Sequence, residues 1–340
     1  MKVMHNLSRY VLLLLLSLIF VACTSSQETT PIVDEEEIRF STTRFGSPSV
    51  LIPSLNGVEI AIRIRKPEGD GPFPVLIGVA GGEGYYAFVS ELSDGLLEEE
   101  IVVVDFAPQG RAESDGDDNY HGYVHQDDLK AVVDLVYSLS FVQKDSIGIL
   151  SYSYGVVLAT GALARYPDLP VAFLIDWEGP YCPGKELQQG LENDEAWAYD
   201  AFRFLSDGRE PIPEELSHLV LHGGSIYDEA YWEERDASRF AADIPCPYLR
   251  VQFDQDHAQG SNKTHMIAII NAATTRSGQW TRLNDNPPNI IYSEEELSEY
   301  SFHHYSGYES AGFYSSNTES VDTILLGYAE EMFFSRPYED

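Results

Sequence analysis

The sequence is poor in cysteine, poor in positive charge and short of apolar runs, and each shortage closes off a class of protein. Three cysteines in 340 residues cannot build the disulfide framework of a small secreted scaffold, and no Cys/His cluster has zinc-ligand spacing. Lys and Arg number 21 against 55 Asp and Glu, a formal net charge of −34. That balance excludes nucleic acid as a partner, because phosphates are bound by basic side chains that release counterions. The longest apolar stretch, Val11 to Ala22, has about twelve residues, where a helix crossing a bilayer takes about 20. No glycine loop carries the lysine needed to cradle phosphates. Asp115-Gly116-Asp117-Asp118 lacks the ligand run and distal Glu of a calcium-binding EF-hand loop, so it reads as a solvated acidic loop. No cofactor and no metal is implied.

What is present is a normal share of hydrophobic residues, 44%, enough for a sizeable core. Lys2 and Arg9 precede the apolar run, the order of a signal peptide's basic and apolar regions. The run ends Phe20-Val21-Ala22-Cys23, which resembles a bacterial lipobox. That resemblance implies a lipoprotein signal peptide over 1–22, lipidation of Cys23, and an envelope lipoprotein at the outer membrane or cell surface. Residues 23–37 are polar without a core-forming pattern and read as a tether, leaving 38–340 as the folded domain. Membrane contact would then be through the N-terminal lipid alone. Cys182 follows one expected strand and Cys246 opens another, so no disulfide between them is expected.

The pattern within 38–340 sets the fold class. Val58 to Ile64 alternates with period two after an Asn56-Gly57 turn, a hairpin entry within antiparallel strands over Ile38–Arg65. Buried strand runs follow at Val75–Val79, Ile101–Val104, Ile147–Leu150, Val171–Ile175 and Tyr248–Phe253. Between two of them, Leu129, Val132, Val133, Val136 and Leu139 recur at helical spacing, with Asp127 as the expected cap. This rhythm predicts an α/β fold: a mostly parallel central sheet flanked by helices. The span from about 177 to 243 interrupts it, with helical pieces near Ala196–Leu205 and Tyr231–Ala241, and reads as a helical cap insertion over the sheet. The face Val321, Ile324, Leu325, Tyr328, Ala329 and Met332 predicts a final helix on the sheet.

Ser151-Tyr152-Ser153-Tyr154-Gly155 follows the strand Ile147–Leu150 and precedes the small-residue helical run Val156–Leu163. A serine on a sharp turn between a strand and a helix is presented as a nucleophile, and small neighbours let the turn form. Ser151 stands where a glycine is usual. With Pro74–Ile77 leading to Ala80-Gly81-Gly82, Asp105–Arg111 after a strand, Asp145–Ile149 running into the elbow and Tyr231–Pro247 running into a strand, the chain resembles the α/β-hydrolase superfamily over about 67–256. Within it, the chain resembles the catalytic domains related to prolyl oligopeptidase, acylaminoacyl peptidases and dienelactone hydrolase.

The resemblance implies Ser153 as nucleophile and an oxyanion hole from the backbone N–H of Tyr154 and that of Gly81 or Gly82. It implies the order serine, acid, histidine. Asp256 is the expected acid, with Asp254 and Glu178 as alternatives. His304 or His303 is the expected base, although both lie further from the final helix than the family pattern has it, and His257 is the fallback. His121, His125, His218 and His265 read as surface or cap residues, and His222-Gly223-Gly224 as a cap turn. The expected activity is hydrolysis of carboxylic esters through an acyl-enzyme, acting on a small-molecule or short peptide acyl substrate. An aminopeptidase-like or acyl-peptidase-like activity is the alternative, and a non-catalytic hydrolase-fold surface lipoprotein is the reading from another class.

Overall fold

The computed structural model describes residues 49–87, 92–180, 220–221, 224–225, 228–251 and 321–334, together with Asn193, Ile269, Ala272 and Ala273. Chain order begins with an antiparallel hairpin, β1 (Val50–Pro53) and β2 (Glu59–Arg65). Its turn uses Gly57 at φ +82°, with Ser54 N–H donating to the Val58 carbonyl. There follow β3 (Phe73–Val79), α1 (Leu92–Glu98), β4 (Val102–Ala107), α2 (Tyr123–Ser138), β5 (Val142–Tyr152), α3 (Gly155–Arg165) and β6 (Phe173–Trp177). A short β7–β8 pair (Val220–Leu221 with Gly224–Ser225), α4 (Glu229–Glu233), α5 (Ala237–Ala241), β9 (Tyr248–Val251) and α6 (Val321–Phe334) complete the described elements.

The main sheet has seven strands in the order β1-β2-β4-β3-β5-β6-β9, parallel from β4 to β9. β1 and β2 extend it antiparallel at one edge. Every residue of β3, β4 and β6 is buried, which requires cover on both faces and explains why those strands read as unbroken apolar runs. On one face, Leu92 and Leu96 of α1 and Leu325, Ala329 and Phe333 of α6 close over Leu76, Val103, Leu150, Phe173 and Ile175. Helices α2 and α3 pack on each other and against β5.

The registration of β5 with β6 depends on one glycine. A Cβ on Gly148 would sit 2.3 Å from the Phe173 ring. Phe173 therefore lies across β5 and meets Phe333 of α6 edge-to-face, centroids 4.7 Å apart. Full burial of one such ring is worth about 1.5–3 kcal/mol.

Two sequence expectations change. Helix α2 begins four residues before Asp127, capped by Gly122, with the Asn119 side chain accepting from Val124 N–H (3.0 Å). Asp127 lies inside the helix because its carboxylate is already held by Tyr166 Oη (2.5 Å) and Arg165 (2.9 Å). In the 177–243 span, the expected helix over Tyr231–Ala241 divides into α4 and α5. Asp228 and Asp236 each accept from backbone N–H groups at the helix starts, so the second Asp restarts the helix rather than continuing it. Helix α5 packs beside α3. Residues 196–205, where the other helical piece of the cap was expected, lie outside the described residues.

Candidate active site

Ser153 stands between the end of β5 and the start of α3, with its backbone at φ +49°. Residues with a Cβ avoid this left-handed region, so the turn is strained and must be held from outside. Three bonds hold it. Ser153 N–H donates to the Trp177 carbonyl on β6 (2.8 Å), and the Ser153 and Tyr154 carbonyls accept from Val156 N–H (3.1 Å) and Val157 N–H (3.2 Å) in the first turn of α3. The small residues around the serine have separate reasons. A Cβ on Gly155 would lie 2.7 Å from both the Val79 and Ala80 carbonyl oxygens. Ser151, where a glycine is usual, is fully buried and its Oγ lies 3.4 Å from the Ile175 carbonyl.

The loop after β3 is pressed onto the nucleophile. A Cβ on Gly81 would lie 2.5 Å from the Tyr152 carbonyl oxygen and 2.8 Å from the Ser153 Cβ, so only glycine fits there. Gly84 N–H donates to the Gly81 carbonyl (2.8 Å), closing a turn whose second residue, Gly82, has φ +50°. The structure therefore brings Ser153, Tyr154, Gly81 and Gly82 together at the carboxyl ends of β3 and β5. Glu178 is buried, immediately follows the neighbouring strand β6, has φ +53° and donates its N–H to the Val251 carbonyl (3.1 Å). The expected acid Asp256, its alternative Asp254, the fallback His257, the expected bases His303 and His304, and Cys23 and Cys182 lie outside the described residues.

Below this edge, Asp176 of β6 is fully buried and accepts from Tyr248 Oη (2.5 Å), Arg250 Nη1 (2.5 Å) and Gly179 N–H (3.1 Å). The ion pair ties β6 to β9 at the point where β9 leads toward Asp254 and Asp256.

His121 and His125 overturn the expectation of surface positions. Both are fully buried, because residues 118–125 fold inward against the loop after β3. Arg111 drives this arrangement: its guanidinium takes the Asp118 carboxylate in two bonds of 3.1 Å and also donates to the carbonyls of Gly82 (2.7 Å) and Gly84 (2.9 Å). Asp118 is held below its ordinary range by Arg111 and the Tyr120 N–H, although burial alone would raise it. Burial, reinforced by the Arg111 charge, holds His121 well below the usual imidazole value and pushes His125 down to about 3. Both are neutral near pH 7. His125 Nδ1 accepts from His121 N–H (3.0 Å), and its Nε2 lies 2.9 Å from the Gln109 carbonyl and 3.1 Å from the Asn119 N–H.

Sequence reasoning missed Arg111 and these histidines as a group. The only available signal was an arginine and two histidines flanking an acidic loop, and nothing in their spacing says that they turn inward. Among the described residues, no three His, Cys, Asp or Glu side chains converge as a metal ion would need. No described helix is long and apolar enough to cross a membrane.

No protein-family model matches the chain. A 131-residue stretch is 30% identical to the 2,6-dihydropseudooxynicotine hydrolase of Paenarthrobacter nicotinovorans, covering 37% of this chain and 33% of that protein. The chain thus spans about a third of the length of the curated relative it matches. Among solved structures, Porphyromonas gingivalis dipeptidyl peptidase 4 superposes with a TM-score of 0.53 at 16% identity, over 84% of this chain and 35% of that one. Est1E from Butyrivibrio proteoclasticus, solved with ferulic acid bound, gives 0.48 at 19% identity, over 66% and 85%. At 16% identity the likeness to the dipeptidyl peptidase speaks to the fold alone.

Proposed function

Starting from a chain that has the α/β-hydrolase fold, we propose that it is a serine hydrolase that cleaves carboxylic esters through an acyl-enzyme on Ser153. The observation that carries this reading is the elbow itself: a serine at φ +49° with the Gly81 turn packed against its Cβ. Backbone strain at a residue with a Cβ marks functional positions when the surroundings enforce it, and here three hydrogen bonds and two glycines do.

In the proposed reaction Ser153 Oγ adds to the acyl carbonyl while a histidine, His304 or His303, takes its proton. The negative charge that develops on the carbonyl oxygen is received by the Tyr154 N–H and the Gly81 or Gly82 N–H. Collapse breaks the ester bond, and the leaving alkoxide takes the proton back from the histidine. Water then repeats the sequence on the acyl-enzyme and frees Ser153. The acid that fixes the histidine's tautomer is Asp256. Glu178, on the neighbouring strand end, is the alternative. We also propose that Cys23 is lipidated and anchors the protein in the cell envelope, a reading supported by Phe20-Val21-Ala22-Cys23 after a basic and apolar segment. Incorporation of labelled palmitate that disappears in Cys23→Ser tests it.

The test of the activity is hydrolysis of short-chain nitrophenyl esters and aminoacyl nitroanilides by the full chain, beside Ser153→Ala, His303→Ala, His304→Ala, Asp256→Ala and Glu178→Gln. Ester turnover lost with Ser153 and with one histidine is the expected result. Preference for the nitroanilides would move the substrate class to peptides. Turnover that survives Ser153→Ala would contradict the reading.

A further inference from the structure

A turn that must aim an N–H group at a developing charge needs its peptide planes fixed, and the turn beside Ser153 is fixed from behind. The Gly81 carbonyl is taken by Gly84 N–H. The trans peptide then directs the Gly82 N–H away from that bond. The next carbonyl, that of Gly82, receives two side-chain donors: Arg111 Nη1 at 2.7 Å and His121 Nε2 at 2.6 Å. His121 Nε2 also lies 3.3 Å from Arg111 Nη1, but its shorter contact is with a carbonyl oxygen that can only accept, which places the ring's proton on Nε2 and leaves Nδ1 with no hydrogen-bond partner among the described residues. A buried nitrogen acceptor left unmatched is unfavourable. So is the backbone that delivers it, because Tyr120 and His121 are successive left-handed residues at φ +46° and +64°.

A second fully buried arginine stabilises that backbone. Arg235, between α4 and α5, donates to the Tyr120 carbonyl (2.9 Å), the Asn119 carbonyl and the Tyr231 carbonyl (2.6 Å). The His121 ring lies against the Tyr120 and Tyr154 rings, with centroids 5.5 and 5.3 Å away, so it also touches the residue that supplies the other oxyanion donor.

We propose that Arg111 and His121 are positioning residues of the oxyanion hole, clamping the Gly82 carbonyl so that the turn's N–H groups hold their aim at the Ser153 acyl centre. The catalytic consequence rests on the serine-hydrolase reading above; the clamp itself does not. Neither side chain exchanges a proton with substrate. Both act through the turn, and Asp118 keeps Arg111 in place.

The experiment compares the full chain with His121→Phe, which keeps the ring among the tyrosines but removes the donor, and His121→Gln, whose Nε2 can replace it. Arg111→Lys serves as the second variant should His121→Phe not fold. Each is assayed on an oxygen ester and on the matching thionoester, whose sulfur is a poor acceptor and draws little from an oxyanion hole. His121→Phe is expected to lower kcat on the oxygen ester about 100-fold, to leave KM and the thionoester rate nearly unchanged, and to be rescued in large part by His121→Gln. Equal slowing of both esters would show a merely structural role and overturn the proposal. Hydrogen exchange at the amides of 82–84 is measured in the same proteins. It should accelerate in His121→Phe and recover in His121→Gln, and unchanged exchange would overturn the proposal even in a protein that hydrolyses nothing. Absence of wild-type turnover on any ester would count against the serine-hydrolase reading, with the exchange result still deciding the clamp.

Discussion

A left-handed backbone costs a residue with a Cβ about 1–2 kcal/mol, and Ser153 bears that cost at the centre of the site. Glycine would not, although its freer unfolded chain returns part of the gain. Ser153→Gly should therefore be more stable than Ser153→Ala by up to about 1 kcal/mol, as read from urea unfolding midpoints. Equal or lower stability of the glycine variant would mean that the elbow is not strained. Gly81 makes the opposite case: an added methyl would meet the Tyr152 carbonyl and the Ser153 Cβ. Gly81→Ala is expected to displace the turn, lower kcat about 100-fold and lower the melting temperature as well, because the atoms it meets are backbone and Cβ atoms that cannot swing aside. A variant with normal turnover would show that the turn is not part of the oxyanion hole. Both positions were legible in the sequence, because a strand, a tight turn and a helix leave a local pattern of small residues. Arg111 and His121 were not, since what defines them is a contact with Gly82 across about 30–40 residues of chain, and no local periodicity encodes that.

At the scale of elements, β6 and β9 are held together below the site by a buried ion pair whose two side chains are 0% and 2% exposed. Removing one partner leaves a charge without compensation in a dry interior, which costs about 3–5 kcal/mol. Asp176→Ala should lose that much stability in chemical unfolding, and Asp176→Leu with Arg250→Met should recover much of it. A single variant within about 1 kcal/mol of wild type would show that the pair is hydrated. The strands themselves were readable as apolar runs because burial on both faces of a parallel sheet leaves no alternation to confuse. Element ends were less so: α2 starts at Tyr123 rather than after Asp127, since a capping carboxylate is recognisable by residue type but Asp127 is engaged by Arg165 and Tyr166 from α3 and its end.

For the whole molecule, buried titrating groups set the response to acid. His121 and His125 have folded values far below the unfolded 6.5, so the unfolded chain takes up protons that the folded one refuses. Their contribution to stability is present above pH 6.5 and is lost as pH falls from there. Asp128, raised by burial to about 6 from 3.8, acts in reverse: its contribution is present below pH 3.8 and is lost as pH rises through about 6. Among the described residues, two histidines against one aspartate leave a net uptake of about one proton on unfolding between pH 5 and 6, a slope of ~1.4 kcal/mol per pH unit. Unfolding free energy should fall accordingly from pH 6.5 to 5, and His125→Gln should flatten the dependence. A flat or rising profile in the wild type would show that these histidines are charged in the folded protein.

The central claim is that Ser153 is an activated nucleophile, and a fluorophosphonate probe tests it most directly, since the probe phosphonylates an activated serine and leaves an ordinary one alone. Peptide mass spectrometry of the treated full chain should find one adduct, on Ser153, blocked by prior incubation with an ester substrate and absent from Ser153→Ala. Folded protein that stays unlabelled, or carries its adduct elsewhere, would contradict the account.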